Sequence, residues 1–100
     1  MVIVAGVFTV DPEQREAFLA GRKALMEHSR AEQGCIEYTF SADPLVPGRV
    51  VLYELWASQE DLDEHLAGLS ASSAPAVTGP ESTTNSIMIY DVAGERPLRR

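Results

Sequence analysis

The chain has 100 residues, near the commonest domain size, with 45% hydrophobic and 23% charged residues, an ordinary balance for one globular domain. A net charge of −7 with eight scattered Lys and Arg residues argues against a nucleic-acid-binding surface, and no apolar run approaches the roughly 20 residues that span a bilayer, so neither nucleic acid nor membrane is an expected partner. Cys35 stands alone, which excludes an internal disulfide, and Met1-Val2-Ile3-Val4 has no basic segment ahead of it, so a cytoplasmic chain without a signal peptide is expected.

Val2 to Val10 is apolar and β-branched, the pattern of a buried strand. Asp11-Pro12-Glu13-Gln14 then carries helix-start chemistry. Asp11 can accept from free N–H groups, and Pro12 suits the first helical position. Ala17, Phe18, Gly21, Ala24, Leu25 and His28 recur at helical spacing, predicting one helix that Gly34 ends. Cys35 to Ala42 alternates, with Ile36, Tyr38 and Phe40 on one side and Cys35, Glu37, Thr39 and Ser41 on the other.

After a Pro/Gly-rich loop, Arg49 to Ala57 predicts a strand with Val51, Tyr53 and Leu55 opposite Val50, Leu52, Glu54 and Trp56. Ser58 caps a second helix whose inner stripe is Leu62, His65, Leu66 and Leu69. Ser70 to Asn85 reads as a loop with a short helical turn near Ala74 to Val77. Ile87 to Val92 reads as a last strand, and Ala93 to Arg100 as a solvated tail that holds the local basic excess.

The order β-α-β-β-α-β is that of a single α+β domain over residues 1–100, with its core in 2–92: a ferredoxin-like βαββαβ sandwich built on an antiparallel sheet. Two helices cover one sheet face. The set Leu52, Glu54 and Trp56 is expected on the other face, with Tyr38 and Tyr53 under the helices. That much apolar surface is unsuited to water, so a homodimer packed sheet to sheet is expected.

Trp56 and His65 are the groups best suited to hold or transform a flat organic ligand. Trp56 reads either as a core or interface aromatic or as a cavity wall. His65 reads either as an interior residue satisfied by a carbonyl or as a base lining a cavity. Glu37 and Glu54 read as rim carboxylates paired with Arg49 or Arg22, or as a catalytic acid and base, with Glu54 the stronger candidate between Leu52 and Trp56. His28, His65 and Cys35 show no ligand spacing, so no metal site is expected. Phosphate loops and nucleotide fingerprints are absent, so no cofactor is expected either.

Gly34-Cys35-Ile36-Glu37-Tyr38, then Tyr53-Glu54-Leu55-Trp56, Ser58, Glu60, Leu62 and His65, resemble the antibiotic biosynthesis monooxygenase domain family, as do Ile3 to Gly6 and Val10-Asp11-Pro12. The likeness spans about residues 2–69. It implies a dimeric α+β barrel and a cofactor-independent monooxygenase that oxidises a small aromatic, quinol or polyketide-like substrate with dioxygen. The substrate is deprotonated in a pocket and then gives an electron to dioxygen. On that reading His65, Trp56 and Glu54 are the catalytic candidates, and Trp56, Leu52, Glu37 and Tyr38 contact the substrate. Relatives of the fold that degrade haem extend the implied substrates to porphyrins.

The sequence departs from the family pattern at two places. Leu52 stands where characterised members carry an asparagine four residues before the tryptophan, and no second histidine follows His65. These departures favour the alternative, a non-catalytic dimeric small-ligand-binding or interaction protein of the same fold.

Overall fold

A computed structural model describes residues 1–99. The chain runs through β1 (Val2–Thr9), a 3-10 turn (Pro12–Gln14), α1 (Arg15–Ala20), α2 (Lys23–Arg30), β2 (Cys35–Ala42), β3 (Arg49–Trp56), α3 (Gln59–Ser70) and β4 (Thr84–Asp91). The four strands form one antiparallel sheet in the order β2-β3-β1-β4. This is the ferredoxin-like α+β arrangement. The molecule measures 41 × 39 × 20 Å, and its short dimension is that of one helix layer on one sheet.

β1 is central and alternates strictly, burying Val2, Val4, Gly6 and Phe8. Phe18 of α1 packs its ring 5.7 Å from Phe8, and Leu25 of α2 and Leu62 of α3 complete a single core cluster with Val50, Leu52 and Trp56. Phe18, Val50 and Trp56 retain no exposed surface. The core therefore lies entirely between the helices and one sheet face.

Strand register corrects the expected face assignment. Tyr38 lies opposite Glu54 and Phe40 opposite Leu52 in the β2–β3 pairing, so these residues share the helix-covered face with Trp56. Directly paired residues in an antiparallel sheet point to the same side. The open face instead carries Tyr53, which pairs with Thr39 and Ala5, together with Val51, Leu55, Met88 and Tyr90. Tyr38 and Tyr53 thus lie on opposite faces. A register shift between Cys35 and Glu37 leaves Ile36 unpaired and half-exposed, outside the core face that simple alternation gives it.

The first helix is also two helices. Gly21 and Arg22 take ψ values of −10° and 0°, and the ladder breaks there. The segment after α3 crosses this point: Thr78 N–H donates to the Gly21 carbonyl at 3.1 Å, and a Cβ on Gly21 would lie 1.9 Å from the Thr78 carbonyl oxygen. Only glycine permits that crossing. Arg22 folds back over the Phe18 ring, 3.4 Å from its centroid, and donates to the Phe18 carbonyl.

Residues 74–77 form no helical turn; the segment is irregular there and is tied down at either end, Ser73 N–H donating to the Gly68 carbonyl and Thr78 N–H to that of Gly21. β4 begins three residues earlier than Ile87 and ends at Asp91. It is an edge strand that no helix covers, and every residue along it is exposed. No helix among the described residues is long and apolar enough to cross a membrane.

Candidate functional site

The two-residue period of β3 sets Leu52, Glu54 and Trp56 side by side beneath the helices. Glu54 and Trp56 are therefore neighbours, and the Trp56 indole N–H donates to Glu54 Oε1 at 2.9 Å. This bond lies in the interior: Glu54 is 5% exposed and Trp56 0%. Tyr38, across the strand pair, turns the edge of its ring toward Trp56, with centroids 6.5 Å apart.

Helix α3 delivers the histidine. Ser58 caps it, its hydroxyl accepting from Asp61 N–H at 3.1 Å and donating to Asp61 Oδ2 at 2.9 Å. The Asp61 carboxyl in turn packs on Gly34, whose φ of +79° ends the turn before β2. A side chain at position 34 would collide with that carboxyl, since a Cβ would lie 2.1 Å from Asp61 Oδ2. Four residues further along the same helix face, His65 Nδ1 meets Glu32 Oε1 at 2.6 Å. The two contacts, Gly34–Asp61 and Glu32–His65, dock one helix face on one turn and fix the imidazole. Its ring centroid lies 4.7 Å from that of Trp56 and 5.4 Å from that of Tyr38.

Burial governs the electrostatics. It raises the Glu54 carboxyl above its ordinary range; the indole hydrogen bond and His65 oppose the shift, and Glu32 adds to it. Burial, reinforced by Glu54, holds the Tyr38 phenol far above its ordinary value, so Tyr38 is a hydrogen-bond donor and not a base. Burial and the neighbouring Glu54 and Glu32 also raise the Cys35 thiol, keeping it protonated and unreactive.

A cavity of about 340 Å³ opens between the sheet and the helices. Phe8, Phe40, Leu52 and Leu62 wall it, and Tyr38, Glu54 and His65 are its ionisable groups. Its mouth lies between Leu66 and Leu69 of α3 and Ile87 and Ile89 of β4, all partly exposed. On the outer side of His65 lies a second, open cleft of about 490 Å³ bordered by Glu32, Glu60, Asp61 and Glu64. His65 borders both spaces and separates them, with Nδ1 turned to Glu32.

Four of the sequence candidates, Leu52, Tyr38, Glu54 and His65, meet at this cavity. Trp56 does not line it. The indole is fully buried and touches the Glu54 and His65 that do, because it ends β3 under the start of α3. Glu37 lies on the opposite sheet face, opposite Leu55, and is exposed. Among the described residues neither glutamate pairs with an arginine: Arg49 binds Asp43 at 2.9 Å, and Arg22 occupies the Phe18 ring. Glu32 is the member that sequence reasoning missed. It precedes His65 by 33 residues in a turn, and no local pattern signals the pairing. The Ile87 and Ile89 side of the mouth depends likewise on strand pairing. No group of three or more His, Cys, Asp or Glu among the described residues could hold a metal ion.

The antibiotic biosynthesis monooxygenase family profile matches residues 1–72, and the chain belongs to that family. Two sequence relatives fit this placement. Protein sll1783 from Synechocystis is 36% identical over 64 residues, covering 64% of this chain and 44% of its own length. YcnE from Bacillus subtilis, named as a candidate monooxygenase, is 31% identical over 65 residues, covering 65% of this chain and 68% of its own length. The chain thus spans less than half of the Synechocystis relative.

Among solved structures, a candidate antibiotic biosynthesis monooxygenase from Deinococcus radiodurans superposes with a TM-score of 0.74 at 18% identity, covering 100% of both chains. SnoaB, a cofactor-independent oxygenase from Streptomyces nogalater solved as a mutant, gives 0.69 at 14% identity and covers 97% of both. At such identities the likeness establishes the fold.

Proposed function

We propose that this protein is a cytoplasmic, cofactor-independent monooxygenase acting on a small hydroxylated aromatic, such as a quinol or an anthrone-like polyketide. One observation carries the reading: a largely apolar cavity within the protomer at which one buried carboxylate, one phenol and one imidazole converge. Its volume of about 340 Å³ falls at the low end of small-molecule sites, roughly 300–1,000 Å³. The family membership and the oxygenase among the structural relatives support the reaction type.

In this reading His65 is the base. Glu32 holds Nδ1, which leaves Nε2 as the proton acceptor, and the outer cleft offers the proton a way to water. The substrate anion passes an electron to dioxygen, and the radical pair joins through a new C–O bond. For an anthrone-like methylene, the resulting hydroperoxide loses water to leave a carbonyl. One oxygen atom stays in the product, the other leaves as water, and the substrate supplies all the electrons. Glu54 anchors a substrate hydroxyl. Trp56 acts through Glu54 and His65 as a positioning residue.

We also propose a homodimer. The uncovered sheet face presents Tyr53, Met88 and Tyr90 beside Val51 and Leu55, an apolar surface that a second copy of the chain would bury. Oxygen uptake over a panel of quinols and anthrones tests the activity. Turnover by the wild type and its loss in His65→Ala are expected, whereas uptake no greater than that of denatured protein would refute oxygenation of those substrates.

The non-catalytic ligand-binding reading is favoured by Leu52, an apolar residue in the cavity wall 3% exposed. Its mark would be a ligand-induced rise in thermal midpoint with no oxygen consumed.

A further inference from the structure

We propose that Glu54 makes the cavity selective for uncharged hydroxyarenes and closes it to aromatic ligands carrying a carboxylate or sulfonate. The proposal rests on the reading that this cavity receives an aromatic ligand, and it narrows the class. Three observations support it.

The cavity wall contains no lysine or arginine among the described residues. The Arg22 guanidinium lies 5.7 Å from the Phe40 centroid and is already engaged by the Phe18 ring and carbonyl, while that of Arg30 is held by the Tyr38 carbonyl and the Thr39 hydroxyl. An anion entering this space would lose its water and meet no lysine or arginine to offset the cost.

Glu54 also presents only acceptor capacity to a ligand when ionised. Its Oε1 takes the indole N–H, and Oε2 has no side-chain partner among the described residues. A hydroxyl hydrogen satisfies that oxygen, and a second carboxylate opposes it. The indole donor that would otherwise receive an anion is occupied by Glu54 itself.

The surrounding field has the same sign. Glu32, Glu60, Asp61 and Glu64 ring the cleft behind His65, and the whole chain carries a net charge of −7. A low-dielectric cavity backed by like charges concentrates this repulsion. The apolar mouth at Leu66, Leu69, Ile87 and Ile89 adds no cation to offset it.

Calorimetric titration of the full chain near neutral pH with 2-naphthol, 2-naphthoate and methyl 2-naphthoate tests the proposal. The wild type is expected to bind the naphthol and the methyl ester at least about tenfold more tightly than the carboxylate, equivalent to about 1.4 kcal/mol. Glu54→Gln retains an acceptor for Trp56 and should tighten naphthoate binding to within a few-fold of naphthol. Should that variant fail to fold, the ester-to-carboxylate ratio of the wild type decides by itself. Equal affinity of the wild type for ester and carboxylate overturns the selectivity while leaving an aromatic-binding cavity. Discrimination that survives in folded Glu54→Gln overturns the assignment to Glu54. Binding of none of the three overturns both the selectivity and the aromatic-ligand reading beneath it.

Discussion

Replacing Trp56 by phenylalanine removes the only N–H that the described residues offer to the buried Glu54 carboxylate. A hydrogen bond to a charged group contributes about 1.5–3 kcal/mol, and its loss inside the protein leaves an acceptor with no water to take its place. Exchanging an indole for a phenyl ring at a site with 0% exposure leaves a void worth roughly 1 kcal/mol more. Trp56→Phe should therefore destabilise the fold by about 2.5–4 kcal/mol. The part due to the hydrogen bond can be isolated in a double-mutant cycle with Glu54→Leu, which removes the carboxylate at similar volume. In the leucine background the cost of Trp56→Phe should fall by about 1.5–3 kcal/mol. Urea denaturation followed by circular dichroism at one fixed protein concentration measures all four corners. A coupling below about 0.5 kcal/mol would mean that the two sites add independently, and that the indole–carboxylate bond does not organise the site.

Burial lifts Glu54 above its ordinary value of 4.5, so between that value and its folded-state value the native chain binds a proton that the unfolded chain has lost. The stability of wild type relative to Glu54→Gln should therefore be greatest below the ordinary carboxyl value and decline as pH rises through the folded value. A difference in unfolding free energy that stays flat across that range would contradict it. Gly21→Ala forces a Cβ into the backbone of Thr78 and should cost about 1–3 kcal/mol, with increased proteolysis of residues 71–83; an unchanged thermal midpoint would show that the crossing segment yields freely. Tyr53→Lys places a charge at the centre of the uncovered sheet face and should weaken self-association at least about tenfold by sedimentation, whereas a wild type that sediments as a monomer at micromolar concentration removes the dimer.

Strand and helix identities were legible because they follow from local chemistry. The two-residue alternation of β3, the Ser58 cap and the Asp11-Pro12 start each act over a few residues, and each occurs where expected. Single-strand alternation separates Val51, Tyr53 and Leu55 from Leu52, Glu54 and Trp56, but both sets contain apolar residues. Which set meets the helices depends on the β2–β3 register, a long-range fact. The bulge at Ile36 has the same origin, since an extra residue is visible only against a partner strand. The helix break at Gly21 required the Thr78 crossing, and a glycine within a helical pattern does not announce one.

The sequence alone determined the element order, the α+β class, the family, and the proximity of Glu54, Trp56 and His65 around the β3–α3 junction. Those properties arise from periodicity and from neighbours within about a dozen residues, where chain connectivity limits the geometry. Tertiary structure alone decided that the cavity lies inside a single chain, that Leu66, Leu69, Ile87 and Ile89 form its mouth, and that Glu32 holds the histidine. It also moved Trp56 behind the wall and Glu37 to the far face. Each of these depends on which remote segments pack together, and that is set by the free energy of the whole core and not by any local run of residues.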